Sequence, residues 1–183
     1  MTQTRNRAFL IALLAIAVVA LIVRVGFVLV VDPKLPDPGD ATAYHLLANN
    51  LADGHGYIRP FDFRILHVAR PTAEYPPLFP ALLAVPSFLG AKSVDAQRLL
   101  LCFVGTGTVV LVGLLGRRVG GPLVGVIAAA IAAVYPMLFL GEAVLMAESV
   151  YVLLVTAALL LAYRAADAPS PWRFAALGLV IGL

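Results

Sequence analysis

Four apolar stretches, residues 8–31, 99–116, 122–140 and 149–163, hold one charged residue among them, Arg24. A soluble domain carries roughly 25% charged and 45–50% apolar residues, whereas this chain has 13% and 62%. Surfaces so poor in charge belong in lipid. A hydrocarbon layer about 30 Å thick needs roughly 20 apolar residues of helix, so each stretch reads as a membrane span, the shorter ones completed by their flanks. The spacing predicts an all-α, polytopic transmembrane helical bundle, with interfacial helices in its first outer loop. Its spans fall at about 8–31, 98–116, 120–140 and 147–163, with an incomplete one from 174 and an outer loop over 32–97. A helix ending inside a bilayer would strand its last carbonyls, so residues 1–183 are expected to be the N-terminal part of one larger membrane domain.

The arginines orient these spans. Arg5 and Arg7 precede the first, Arg117 and Arg118 follow the second, and Arg164 and Arg173 flank the gap after the fourth. The positive-inside rule puts all three segments on the cytoplasmic side and the 32–97 loop outside. The first apolar run is too long for the core of a cleaved signal peptide, so it is read as an uncleaved span of an inner-membrane protein. Residues 75–90 are uncharged, but prolines at 76, 77, 80 and 86 and a short run favour an interfacial or re-entrant helix over a span. The net charge of +3 sits at span ends and forms no interleaved basic patch, which excludes nucleic acid as a partner. The single cysteine, Cys102, lies within an apolar run and is read as a small core residue.

Titratable residues gather in the outer loop. Asp40 precedes residues 41–52, in which Tyr44, Leu47, Ala48 and Leu51 form one apolar face; Gly54 stops the helix. Asp40 is therefore the N-cap candidate, and His45, Asn49 and Asn50 fall off the apolar face, with His45 and His67 read as surface residues. A polar stretch with Arg59, Asp62, Arg64, His67, Arg70 and Glu74 follows, and a second acidic group, Glu142 and Glu148, belongs to the turn between the third and fourth spans. Carboxylates at a membrane boundary are costly unless partnered or hydrated. Arg24 is read as packing within the bundle or snorkelling outward. Gly105, Gly107, Gly113 and Gly116 suit close helix packing, while Gly121 and Gly125 carry no special meaning.

The ordered pattern Gly39-Asp40, Tyr44, Ala48, Leu51-Ala52, Gly54, Gly56-Tyr57, then Pro71-Thr72-Ala73, Pro76-Pro77-Leu78 and Pro80 resembles the first periplasmic loop of C-type membrane glycosyltransferases. Within these it is most similar to the bacterial branch related to dolichyl-phosphate-mannose protein mannosyltransferases and aminoarabinose transferases. Glu142 and Ala147-Glu148-Ser149 resemble that family's second outer loop. The resemblance implies transfer of a sugar from a polyprenyl-phosphate donor in the membrane lipid to an acceptor, of unspecified kind, outside the cytoplasm. Asp40 would be the catalytic base that deprotonates the acceptor hydroxyl. Glu148, Glu142 and Glu74 would be acids on the acceptor or metal side. Arg59, Arg64, Arg70 and His67 are the cations available to the donor phosphate. Some relatives use a divalent metal, for which Asp40, Glu142 and Glu148 offer hard oxygens; others need none, so no metal site is assigned. Family members are longer, with further spans, so this chain alone is expected to be inactive.

Two rival readings use the same residues. A transporter or flippase-like protein would line a path with these acids and predicts charged or broken helices near mid-membrane; the nearly charge-free spans weigh against it. A non-catalytic membrane subunit would use the outer loop to bind a partner.

Overall fold

The computed structural model of the chain describes residues 2–30 and 39–183. The expected end of the first span at 31 and the loop's first residues, 32–38, lie outside that set. The described residues form eight helices: α1 Thr2–Val30, α2 Asp40–Ala52, α3 Pro60–Leu66, α4 Leu78–Phe88, α5 Val94–Val134, α6 Pro136–Ala143, α7 Glu148–Asp167 and α8 Pro171–Gly182. The expected all-α bundle is what forms. Three of the helices, α1, α5 and α7, are long and apolar enough to cross a membrane. The outward face of α1, including Ile11, Leu14, Ile22 and Leu29, has no protein cover, as suits a lipid-facing surface.

The expected second span and most of the third lie inside α5, which folds sharply at Gly121. That residue has φ 85° and ψ −179°, a conformation essentially reserved for glycine. Pro122, which needs no amide partner, starts the returning half. The two halves run antiparallel at very close range. A Cβ on Gly113 would stand 3.0 Å from that of Ala129, and one on Gly116 3.1 Å from the Gly125 Cα. Gly113 and Gly116 thus do the packing expected of them. Gly121 and Gly125, read as incidental, are the turn and the other half of the glycine contact; what makes them meaningful is the reversal, which no apolar periodicity announces. Replacing Gly121 with Ala is expected to cost about 1–3 kcal/mol, because a side chain there is strained whatever the space around it. A thermal melt of the purified protein checks this.

The third expected span, 120–140, is interrupted. Tyr135 is extended (φ −74°, ψ 113°) between α5 and α6, since the residue before a proline is driven out of the helical region. α6 then turns into α7 through Leu145, a buried residue at φ 55°. The Met146 amide closes this turn on the Gly141 carbonyl at 2.8 Å.

At one end of the bundle the three arginine segments meet. Arg117 donates to Asn6 at 2.6 Å, Arg118 makes a two-bond ion pair with Asp167, and Arg173 donates to the Arg164 carbonyl at 3.0 Å. At the opposite end α2 and α4 pack on the start of α5 and on α7, with Tyr44, Ala48, Phe79, Leu83, Leu101, Leu145 and Val150 as their common core. Eleven residues long, α4 is too short to span a bilayer, in keeping with the proline-based reading of that segment.

Candidate functional site

Asp40 opens α2, but it is not the cap. Gly39 stands in the capping position in extended conformation, and its carbonyl accepts from the Ala43 amide at 2.9 Å. Asp40 is the first helical residue, and its exposed carboxylate accepts instead from the Tyr75 hydroxyl at 3.5 Å. The capping expectation fails by one residue, and the failure frees the carboxylate for other work. The other end of α2 follows the sequence: Gly54 takes φ 78°, and the His55 and Gly54 amides close on the carbonyls of Asn50 and Leu51.

Around Asp40 the aromatic residues form a wall. Tyr44 meets Tyr75 edge to face at 5.2 Å and Phe79 at 4.8 Å. Burial holds the Tyr44 phenol above its ordinary value, and the charges of Asp40 and Glu148 add to this. Tyr75 is raised in the same way, by burial and then by Glu74 and Asp40. Tyr57, raised by burial and by its two tyrosine neighbours, donates to the Tyr75 carbonyl at 2.8 Å. These phenols stay protonated and can donate to an anion. Glu148 begins α7, exposed beside the strained Leu145 turn, so both it and Asp40 act on Tyr44 from separate elements. Sequence reading missed the tyrosines as polar groups because Tyr44 fitted an apolar stripe; the Gly56-Tyr57 and Glu74-Tyr75 pairs beside the acids were the available signal.

The remaining candidates divide. Glu74 is exposed next to Tyr75. Arg59, Arg64, His67 and Arg70 all lie exposed in the segment holding α3, tied to the site through the Ile58–Pro71 bridge and Tyr57. Arg70 faces Asp62 at 3.8 Å and Arg64 stacks over Phe61 at 6.0 Å. His67 ends α3 in the left-handed region at φ 55°. Glu142 departs from expectation. Read as a turn acid, it is 1% exposed within the bundle, where it accepts from Arg24 Nε at 3.0 Å. Arg24 also donates to the Ala20 and Ala133 carbonyls. Room for the pair comes from Gly105, where any side chain would overlap the Glu142 carboxylate. Among the described residues no group of three or more His, Cys, Asp or Glu is placed to hold a metal ion.

His45, read as a surface residue, and Asn49 are half-buried in a closed ring of hydrogen bonds, and Asn50, also expected off the apolar face, is buried. With its proton on Nδ1, His45 donates to Gln97 Oε1 at 2.9 Å. Gln97 Nε2 donates to Ser87 Oγ at 3.3 Å, Ser87 to Asn49 Oδ1 at 2.7 Å, and Asn49 Nδ2 returns to His45 Nε2 at 3.2 Å. The ring joins α2, α4 and α5, and so fixes the roll of α2 and the heading of Asp40.

A cleft of about 430 Å³ opens between the segments that carry Tyr75 and Glu148. Pro76, Phe79, Val150, Tyr151, Leu154 and Ile181 are among the residues lining it, and most of its wall is apolar. Residues 74–183 match the family model described as dolichyl-phosphate-mannose-protein mannosyltransferase. The chain belongs to that family of membrane glycosyltransferases. No curated protein and no solved structure matches it. The family match takes in Glu74, Tyr75, Glu142, Glu148 and the cleft, and begins after Asp40 and the four cations.

Proposed function

We propose that the protein transfers a sugar from a polyprenyl-phosphate donor to an acceptor hydroxyl at the extracytoplasmic face of the inner membrane. One arrangement supports the reading: the apolar cleft is lined by Ala147, the neighbour of Glu148 in the chain, and by Phe79, whose ring meets Tyr44, the residue on which the charges of Asp40 and Glu148 both act. A lipid-linked sugar phosphate has this division, an oily tail below a charged head. Asp40 takes the acceptor proton as the acceptor oxygen bonds to the anomeric carbon and the bond to the carrier phosphate breaks. Tyr75 orients Asp40. The departing phosphate is met by cations of the 59–70 segment, with arginine favoured for its two-pronged geometry. Glu148 and Glu74 are the exposed acids left to face the acceptor or a divalent ion; Glu142 is already engaged by Arg24 and serves the scaffold.

A transporter is favoured by one finding, the buried Arg24–Glu142 pair beside a broken helix. The pair, however, is tied to two backbone carbonyls through Arg24 Nη1 and lies six residues before Val30, the last residue of α1, roughly 9 Å in helical rise, toward the Asp40 end and not at mid-membrane. The two readings part on the fate of the donor. Membranes containing the full-length protein, supplied with sugar-loaded polyprenyl phosphates, are expected to release free polyprenyl phosphate as acceptor is glycosylated. A donor pool that crosses the membrane intact sinks the enzyme reading.

A further inference from the structure

The end of the bundle remote from Asp40 carries a second pair of clefts. One, of about 330 Å³ between α5 and α7, is lined by Leu114, Arg117, Arg118, Leu160, Tyr163 and Arg164. The other, of about 520 Å³ between α7 and α8, shares Arg164 and adds Leu161, Asp167, Trp172 and Arg173. From these we infer a binding site for an anionic phospholipid, its phosphodiester held around Arg164 and its acyl chains running along the leucines.

Three of the four arginines are already fixed. Arg117 stacks on Phe9 at 4.5 Å and bonds Asn6. Arg118 stacks on Tyr163 at 5.2 Å while paired with Asp167. Arg173 is tied to the carbonyls of Arg164 and Ala168. Their positions are set by the protein before a ligand arrives. Arg164 is different: it is exposed, and its guanidinium bonds no other side chain among the described residues, although it faces both clefts. Asp167 offsets one of these four charges, so the clefts remain cationic.

The walls identify the ligand as a lipid. On passing from the arginines to Leu114, Leu160 and Leu161 the lining turns from cationic to apolar, which a free phosphate has no use for. Trp172, 85% exposed beside Arg173, stands where an amphipathic ring meets headgroups. Basic pockets between membrane helices hold phospholipid headgroups by this combination of charge and apolar wall. The site rests on the membrane bundle alone and stands or falls separately from the sugar-transfer reading.

Trp172 is the single tryptophan of the sequence, which makes it a reporter. The protein is reconstituted into phosphatidylcholine vesicles containing a minor fraction of either brominated phosphatidylglycerol or brominated phosphatidylcholine, and quenching of Trp172 is compared. Stronger quenching by the anionic lipid is expected. Arg164→Gln should weaken the preference about fivefold, the effect of one arginine near a lipid surface, and Arg164→Lys should largely keep it. Arg164 is exposed, so neither variant threatens the fold, and equal quenching of all three proteins by brominated phosphatidylcholine confirms this. Equal quenching of the native protein by the two lipids overturns the proposal, as does a preference unchanged in Arg164→Gln. Loss of the preference on adding inorganic phosphate would reassign the site to a soluble anion and overturn it as well.

Discussion

Asn in place of Asp40 is expected to slow sugar transfer by roughly 10²- to 10⁴-fold, the usual contribution of a positioned general base, with little change in folding. The geometry makes these two effects separable. Had Asp40 been the N-cap of α2, its loss would have reached the helix, but Gly39 takes that position and the Asp40 carboxylate faces Tyr75. What Asn removes from α2 is only the favourable meeting of an acid with a helix N-terminus, about 0.3–1 kcal/mol. Initial rates of donor consumption by the full-length protein, paired with a melting curve, test both halves of the expectation. A variant that transfers within a few fold of the native rate would remove Asp40 from the chemistry. One that fails to fold would show that Asp40 holds α2 after all.

The second large effect belongs to the Arg24–Glu142 pair. Both side chains are almost wholly buried, and taking one charge from such a pair leaves the other uncompensated, at about 3–5 kcal/mol. Arg24→Leu and Glu142→Leu are each expected to melt far below the native protein. The double variant should recover most of the loss, because two apolar side chains of similar bulk are often tolerated where a complete ion pair was. Thermal unfolding of the three proteins in detergent measures the coupling. Single variants that melt like the native protein would mean that the pair is hydrated and open, which would restore weight to the transporter reading.

The long apolar helices and the gathering of their basic ends were legible in the sequence because lipid imposes two coarse rules, long uncharged runs and basic ends, and both survive local irregularity. Arg5 to Arg7, Arg117 to Arg118 and Arg164 to Arg173 do gather at one end. What stayed hidden depends on partners far away in sequence. Glu142 looked like a turn acid because the apolar run stops just before it; its cation is 118 positions away, and the space for it depends on a glycine of another helix. His45 looked solvated because periodicity gives α2 one apolar face, whereas the fold covers it from two sides, with α4 and α5. The Asp40 cap missed by one residue because glycine and aspartate both begin helices well, and a pattern of residue types does not say which of the two is extended. The exposed acids and the cations of the 59–70 segment drew attention by their density. The tyrosines that join the acids were not, since an aromatic ring on an apolar stripe gives no hint that its hydroxyl has work to do.

The reversal at Gly121 has a consequence for how this chain is made. With a single residue turning the chain between two tightly apposed halves, there is no segment there long enough for the ribosome-bound machinery to hold one helix while the other waits in water. The pair is suited to entering the bilayer together, already docked, so a bulky side chain at Gly113, Gly116 or Gly125 would be felt during synthesis, before any folded protein exists to be measured.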